Sequence, residues 1–313
     1  MSKKIAIIGL GGVGGYFGFK INEANTDTRQ KITFVARGAT YEVVREQGLT
    51  LHSPEHARPI TRPDHVTDQI ASLTEQDLVL ICVKEYDLEP VCRQLLPVVK
   101  NQTILLPLMN GVDIYDRVRA IIPGGAVLPA CVYVASHQEG KGVVTHRGNT
   151  GKIILGRDPQ RPEVNLDWVV ALLQDSGADI TFQEDAWPAI WTKFVFIASF
   201  GMVTARYHQS IGQVEEDPLL RDRAIAIMEE ILSIAHQKGI VLAPNIIELT
   251  LQKATTFPYD TPTSLQLDVH SGKGANELEL FAGAILRYGK ELDLDTRSTR
   301  AIYSEIKSHR IGA

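Results

Sequence analysis

The chain of 313 residues contains little cysteine: Cys82, Cys92 and Cys131 are its three thiols. Their odd number and the absence of a C-x-x-C spacing argue against a disulfide framework and favour a reducing compartment. No apolar run reaches the roughly 20 residues of a membrane-spanning helix. The N-terminal apolar stretch is interrupted by glycines and lacks the pattern of a signal peptide. These absences predict a cytoplasmic protein that does not insert into a membrane.

Positive charge is also scarce, with 32 Lys and Arg against 37 Asp and Glu and a formal net charge of -5. This balance argues against nonspecific binding to nucleic acid or to an anionic membrane surface. Any anionic ligand must therefore be held by local basic side chains and helix ends. The length suits two domains, and 44% hydrophobic residues are enough for a substantial core.

The chain does contain a glycine-rich turn directly after an apolar run of β-branched residues at its start. The run predicts a buried parallel strand, and the G-x-G-x-x-G spacing predicts a tight turn that opens a helix. In that arrangement Gly9 makes the turn, Gly11 lets the backbone approach a pyrophosphate, and Gly14 lets the helix pack closely on the strand. The helix N-terminus favours an anion. We therefore predict a dinucleotide site, the alternative being a purely structural turn. The predicted cofactor-binding residues of the turn are Gly9, Leu10, Gly11, Gly12, Val13 and Gly14.

The second predicted strand, 31–36, ends at Arg37. In NAD-selective folds, an acidic residue about 20 positions after the fingerprint accepts a hydrogen bond from the ribose 2′-hydroxyl. No acidic residue lies between Asp27 and Glu42. Because a guanidinium can bind a 2′-phosphate, the sequence indicates NADP rather than NAD. The alternative is a solvated arginine after a strand.

Lys84 and Asn110 follow the next two predicted strands, 78–83 and 103–106. The carboxyl ends of parallel strands are where open α/β sheets bind ligands, so both residues are candidates for the site. Lys84 has an alternative interpretation as an exposed lysine that begins a loop. Asn110 has one as the cap of a helix starting near Asp113.

His52 and His56 are four residues apart, the spacing of two metal ligands on one face of a helix. Pro54 between them and the turn residues around them argue against a helix. The sequence therefore predicts no metal site.

The pattern changes along the chain in a way that indicates two domains. Alternation and close-set glycines over 126–156 predict antiparallel strands added to the sheet edge, and 178–182 predicts a last strand. Helical patterns dominate beyond the polar residues that follow. We therefore predict a dinucleotide-binding domain over 1–184 and a helical domain over 185–313.

The long apolar helix that begins at Trp187 contains one basic residue early in its course, Lys193. A lysine on a buried helix is costly to desolvate, so it snorkels, pairs with a carboxylate, or has a lowered pKa suited to proton transfer. Periodicity alone does not choose between these. Glu277, Glu279 and Glu291 are compatible with a solvated helix face.

Taken together, these residues resemble the ketopantoate reductase family, the NADPH-dependent 2-dehydropantoate 2-reductases, along nearly the whole chain. The resemblance implies an α/β fold, with an N-terminal doubly wound Rossmann-type sheet and an all-helical C-terminal domain of the 6-phosphogluconate dehydrogenase C-terminal-like type. It implies a site between the two domains. The matching segments are residues 9–14, 35–38, the strand ending at Lys84, 109–111, 142–146 with Gly156, 191–193, Thr263-Ser264 with Asp268, and 276–279.

The resemblance also implies roles for individual residues. Lys193 would donate a proton to the ketone oxygen as hydride reaches the adjacent carbon, with Glu277 as its acidic partner. The remaining implied contacts are Ser264 with the substrate carboxylate, Asn110 with nicotinamide and substrate, Lys84 near the nicotinamide, and Arg37 with the 2′-phosphate.

The sequence departs from the family at three positions on the substrate side. The family has asparagines four and eight residues after the lysine and another near the following loop, whereas this chain has Ile197, Gly201 and Ile211. The first expectation is still reduction of ketopantoate to pantoate in pantothenate and coenzyme A biosynthesis. The alternatives are a sister NADPH-dependent reductase of another 2-keto acid or carbonyl compound, and a non-catalytic NADP-binding sensor. The resemblance further implies a homodimer.

Overall fold

The protein is described by a computed structural model that covers residues 2–27, 29–56, 59–148, 150–272 and 274–309. The chain divides into two compact units, Met1–Ala186 and Trp187–Ala313. The predicted division lay two residues earlier, after residue 184.

The first unit combines strands with connecting helices. In its described part, the helices are α1 (Gly12–Ala24), α2 (Gly38–Gln47), α3 (Glu85–Leu95), α4 (Ile114–Ile121) and α5 (Asp167–Asp175). The strands are β1 (Lys4–Ile8), β2 (Lys31–Val35), β3 (Leu49–His52), β4 (Ile60–Thr61), β5 (His65–Thr67), β6 (Leu78–Ile81), β7 (Ile104–Pro107), β8 (Ala126–Val127), β9 (Ala130–Tyr133), β10 (Ser136–Gly140), β11 (Val143–His146), β12 (Lys152–Gly156) and β13 (Asp179–Gln183).

The main sheet has six strands in the order β5-β2-β1-β6-β7-β8, and every neighbouring pair in it is parallel. Strands β6 and β7 are buried along their whole length, which explains their continuous apolar sequences. The chain moves outward from β1 to β2 and then returns to β6 on the other side of β1. The strand order therefore reverses between β1 and β6, which is where doubly wound sheets bind ligands. The Rossmann-type prediction is confirmed.

The prediction that 126–156 adds antiparallel strands to this sheet was wrong. Within the segment, β8 pairs in parallel with β7 at the sheet edge, and the later strands belong to two further sheets. One sheet has the order β10-β11-β3-β4 and the other the order β13-β12-β9. Alternating polarity indicates a strand but does not identify the strand that pairs with it, and β3 and β4 were not predicted from the sequence.

The second unit is helical, as predicted. Its described helices are α6 (Trp187–Tyr207), α7 (Ile211–Glu216), α8 (Pro218–Gln237), α9 (Ile246–Ala254), α10 (Ser264–His270), α11 (Ala284–Glu291) and α12 (Arg297–His309), with a π-helical turn over Glu279–Gly283. Helix α6 is the centre of the unit and packs against α8, α10 and α12. Among the described helices, only α6 is long and apolar enough to cross a membrane, and 78% of the stretch concerned is buried inside the protein. That burial is typical of a core helix.

Candidate active site

The residues predicted to bind a cofactor lie along one edge of the main sheet. The last residues of β1, β6 and β7 are register partners, so these three strands end level with one another. Gly11, Lys84 and Asn110 each come three residues after those partners. Arg37 comes two residues after the end of β2, whose last residue is in turn paired with the end of β1. The parallel topology therefore brings all four to the carboxyl edge of the sheet.

The glycine turn after β1 has the geometry that a phosphate-binding turn requires. Gly9 adopts a φ of +90°, where a side chain is strained, and a Cβ there would lie 2.7 Å from the carbonyl oxygen of Cys82. A Cβ on Gly14 would overlap the carbonyl oxygen of Gly9. Gly11 differs from both, because a Cβ there would meet nothing within 4 Å. Packing therefore does not require glycine at position 11, and the open space fits a ligand approaching the backbone at the N-terminus of α1.

A cavity of about 270 Å³ opens at this edge of the sheet. Its wall includes Gly9, Leu10, Gly11, Arg37 and Lys84 from the predicted set. The remaining predicted cofactor residues, which do not line it, are Gly12, Val13, Gly14 and Asn110. Five polar residues that the sequence analysis did not select also line it, namely Thr40, Asp68, Asp87, Gln94 and Gln138.

Arg37 is both exposed and ion-paired, so neither sequence interpretation describes it completely. Its side chain is 70% exposed, and its Nη2 lies 2.6 Å from Oδ2 of Asp87. Asp87 belongs to the first turn of α3 and is 22% exposed. In the sequence, the one signal that Asp87 belongs to the site was its position three residues after Lys84, just beyond the end of a strand. Beside this pair, Nε2 of Gln138 donates a hydrogen bond of 3.2 Å to Oγ1 of Thr40.

The structure places Lys84 and Asn110 in the segments that follow β6 and β7. Lys84 is the residue before α3, and its side chain is exposed and does not cap that helix. The residue at the start of α4 is Asp113, so Asn110 is not the N-cap. Asn110 is half-buried in the turn between β7 and α4.

Lys193 and Glu277, the predicted catalytic residues, are both buried in the second unit, with 8% and 5% exposure. Neither is without an interaction partner. Phe194 stacks on Phe281 at a ring distance of 6.2 Å, which packs the part of α6 around Lys193 against the π-helical turn that begins two residues after Glu277. The idea that Glu277 belongs to a solvated helix face is therefore wrong.

One face of α6 runs from Lys193 to the start of α10. Ile197 and Gly201 share this face with Lys193, because they follow it by four and eight residues. Further along the face, Oγ1 of Thr204 lies 2.7 Å from Oγ1 of Thr263, the N-cap of α10. The exposed Ser264 is the first residue of α10.

Ile197 is half-buried, and a Cβ on Gly201 would lie 3.6 Å from the Cβ of Leu265. Ile211 is buried as the first residue of α7. The face between Lys193 and α10 thus carries no polar side chain at the first two of the three positions where the resemblance implies amides.

Two other kinds of chemistry find no support in the described part of the chain. No group of three or more His, Cys, Asp or Glu side chains there is arranged to hold a metal ion, and His52 is instead paired with Glu139 at 3.1 Å. Cys82 lines the cavity, but burial raises its pKa to about 12, so its thiol is neutral at physiological pH.

Comparison with known proteins identifies the family. The model of ketopantoate reductase PanE/ApbA matches residues 5–160, and that of the ketopantoate reductase PanE/ApbA C-terminal domain matches residues 185–310. The chain belongs to the ketopantoate reductase family. Members of this family are oxidoreductases that act on CH–OH groups with a nicotinamide coenzyme, and their substrates are small keto acids. The enzyme class predicted from the sequence is thereby confirmed.

Two relatives are distant in sequence but cover nearly the whole chain. An uncharacterized oxidoreductase of Bacillus subtilis, YkpB, is 23% identical over 98% of both chains. A 2-dehydropantoate 2-reductase of Nostoc is 23% identical over 97% of this chain and 94% of its own length.

Solved structures show the same fold. The 2-dehydropantoate 2-reductase of Porphyromonas gingivalis is 27% identical, with a TM-score of 0.82 over 98% of this chain and 99% of its own. D-mandelate dehydrogenase with NADH and anilino(oxo)acetate is 19% identical, with a TM-score of 0.85 over 97% of both chains.

Proposed function

We propose that this enzyme reduces 2-dehydropantoate (ketopantoate) to pantoate with NADPH, a step of pantothenate and coenzyme A biosynthesis. The observation that carries the proposal is the burial of a lysine and a glutamate, Lys193 and Glu277, in one helical unit. Burying ionisable groups is costly, and proteins retain such groups chiefly where they are paired or used. The π-helical turn just after Glu277 adds support, because such turns are frequent at functional sites.

In the proposed reaction, Lys193 acts as the proton donor. When bound, a reduced nicotinamide supplies the hydride that adds to the ketone carbon. The carbonyl electron pair moves onto the oxygen, and the Lys193 ammonium first stabilises this negative charge and then neutralises it with a proton. Glu277 is the acidic partner whose carboxylate balances the lysine charge. The Ser264 hydroxyl donates a hydrogen bond to the substrate carboxylate.

The coenzyme assignment rests on the edge of the parallel sheet in the first unit. NADP is favoured over NAD because an arginine, and not a carboxylate, follows β2. The proposed contacts are the turn 9–14 with the pyrophosphate, Arg37 with the 2′-phosphate, Lys84 with the nicotinamide end, and Asn110 with the nicotinamide and the substrate.

The cellular setting is proposed on separate grounds. The three cysteines are free and buried, which suits the cytoplasm. A homodimer is proposed on the family relationship alone.

A second candidate substrate class is a 2-keto acid with an apolar side chain. The observation that favours it is the pair Ile197 and Gly201 on the face of α6 that leads from Lys193 to the start of α10. D-mandelate dehydrogenase shares the fold, and its solved structure contains anilino(oxo)acetate, an analogue of an aromatic 2-oxo acid.

Steady-state NADPH oxidation with ketopantoate, 2-ketoisovalerate and phenylglyoxylate distinguishes these functions. We expect the highest kcat/KM for ketopantoate. A higher kcat/KM for either apolar keto acid would assign the chain to the second class. Tight NADPH binding without turnover of any keto acid would contradict both reductase functions and indicate a sensor.

A matched variant sharpens the comparison. If the face of α6 contacts the substrate, Ile197→Asn raises the ratio of kcat/KM for ketopantoate to kcat/KM for phenylglyoxylate. An unchanged ratio would show that Ile197 does not select the substrate.

A further inference from the structure

The ion pair between Arg37 and Asp87 spans the carboxyl end of β1. Arg37 follows β2 and Asp87 follows β6, and these two strands lie on opposite sides of β1 in the sheet. The bond of 2.6 Å between their side chains therefore bridges the point where the strand order reverses. Both residues line the same cavity as Gly11, whose backbone faces open space.

We infer that Asp87 determines coenzyme selectivity: its carboxylate competes with a 2′-phosphate for the Arg37 guanidinium and so limits the preference for NADPH over NADH. The inference rests on the proposed function, because it assumes that this cavity binds the adenosine end of the coenzyme. It adds a residue that the pattern of glycines and the arginine after β2 does not include.

The competition follows from the charges. A 2′-phosphate that reaches Arg37 must either displace Asp87 or lie close to it, and like charges at such a distance repel. Asp87 is 22% exposed, so water screens its charge only in part. NADH carries a neutral hydroxyl at the same position and experiences little of this repulsion.

The opposite possibility is that Asp87 braces Arg37 in the orientation that binds phosphate. Such preorganisation would contribute little to NADPH binding, because Arg37 is 70% exposed and ion pairs with an exposed member are weak. One guanidinium nitrogen of Arg37, Nη2, donates to the Asp87 carboxylate. This contact leaves the orientation of the other N–H groups of the guanidinium unconstrained. We therefore expect repulsion to outweigh preorganisation.

The test is the affinity of the full-length protein for NADPH and for NADH, measured by titration calorimetry without substrate. Asp87→Asn removes the charge and keeps the shape of the side chain. We expect it to lower the Kd for NADPH about tenfold, equivalent to about 1.4 kcal/mol, and to change the Kd for NADH by less than about twofold. The NADPH effect should shrink at high salt.

Two further variants control the measurement. Glu89→Gln removes the same charge from the exposed side of α3, where Glu89 pairs with Arg93, and should change neither Kd by more than about twofold. In an Arg37→Met background, Asp87→Asn should lower the NADPH Kd by much less than in the wild type, because without the guanidinium the 2′-phosphate is no longer held beside Asp87.

Three results would overturn the inference: weaker NADPH binding by Asp87→Asn, an equal change for both coenzymes, or an undiminished effect in the Arg37→Met background. Each of them leaves the proposed reductase function intact, provided that the wild type binds NADPH. If the wild-type protein binds neither coenzyme, the proposed function and this inference both fail.

Discussion

At the scale of single residues, the glycine turn separates packing from ligand binding. Gly14 is required by the fold, because a Cβ would collide with the carbonyl oxygen of Gly9 and lie 2.7 Å from the Cβ of Cys82. Gly11 has no such neighbour and an extended φ of -79° that any residue can adopt. The two glycines of one motif thus serve different purposes.

We predict that Gly11→Ala leaves stability nearly unchanged but weakens NADPH binding by about tenfold or more, because its methyl group occupies the space needed for the pyrophosphate. Gly14→Ala should lower the free energy of unfolding by about 3 kcal/mol, since the backbone of the turn must shift. Urea unfolding and coenzyme titration of both variants measure the two effects. Equal loss of stability in the two variants would contradict this division of roles.

The sequence identified many of these residues because their signals are local. Spacing defines the glycines, and the end of a strand defines Arg37 and Lys84. The role of Asp87 could not be predicted in this way, because its contact with Arg37 joins residues that are 50 positions apart in the chain. Three roles likewise remained open for Lys193, because its apolar helix sequence does not show which groups the lysine contacts. Those contacts are made in the tertiary structure.

At the scale of elements, the start of α10 is held by a capping box and by its contact with α6. Oγ1 of Thr263 accepts a hydrogen bond from the backbone N–H of Gln266, and the Gln266 side chain accepts one from the N–H of Thr263. The bond between Thr263 and Thr204 joins this cap to α6. The Thr263 side chain therefore holds Ser264 in position, although Thr263 itself does not contact the substrate in the proposed reaction.

We predict that Thr263→Ala lowers the free energy of unfolding by about 1–2 kcal/mol, the usual effect of losing an N-cap. It should also raise the KM for the keto acid more than it lowers kcat, because the carboxylate contact through Ser264 becomes less well positioned. Thr256→Ala is the control, since Thr256 is exposed and donates only a local bond to Lys253 within its own turn. Indistinguishable behaviour of the two variants would exclude the capping role.

The elements themselves were predictable to different degrees. The strands β1, β2, β6 and β7 of the main sheet and the long helix α6 have largely apolar sequences, and length and pattern were enough to locate them. The edge strand β5 has the sequence His-Val-Thr and was not predicted. The strands of the two smaller sheets are short, and their neighbours lie far away in the chain; β3 pairs with β11, for example. The sheet that contains these two strands packs against α1, where a Cβ on Gly15 would overlap the side chain of Val144 in β11.

At the scale of the whole molecule, a buried polar cluster ties distant segments of the first unit together. The Lys20 ammonium, 4% exposed, donates to Glu55 at 3.1 Å and to the carbonyl oxygen of Gly177 at 2.9 Å. Burial raises the pKa of Glu55, but hydrogen bonds from Thr150, Tyr16 and Lys20 outweigh it and lower the pKa to about 2. Glu55 is therefore ionised in the folded protein under all ordinary conditions.

This cluster gives the stability a defined pH dependence. The folded pKa of Glu55 lies below its ordinary value of 4.5, so its contribution is complete above about pH 4.5 and is lost as the pH falls toward about 2. Near neutral pH, Glu55→Gln should cost about 3 kcal/mol, because Lys20 loses its carboxylate partner. The difference from the wild type should narrow as the pH falls through this window.

Urea unfolding at several pH values tests the prediction, with Glu75→Gln as the control for an exposed glutamate. We expect that control to differ from the wild type by less than about 0.5 kcal/mol at every pH. A constant difference between Glu55→Gln and the wild type from neutral to acid pH would show that the ionised Glu55 does not stabilise the fold.

The account as a whole depends on Lys193 as the proton donor of a nicotinamide-dependent reduction. The most direct measurement compares kcat for the best keto acid and the Kd for NADPH in wild type, Lys193→Met and Lys238→Met, the last removing an exposed lysine of the same unit. We predict that Lys193→Met lowers kcat by about 100-fold or more while its Kd for NADPH stays within about twofold of the wild type, and that Lys238→Met resembles the wild type. A Lys193→Met enzyme with a kcat within about threefold of the Lys238→Met control would contradict the mechanism.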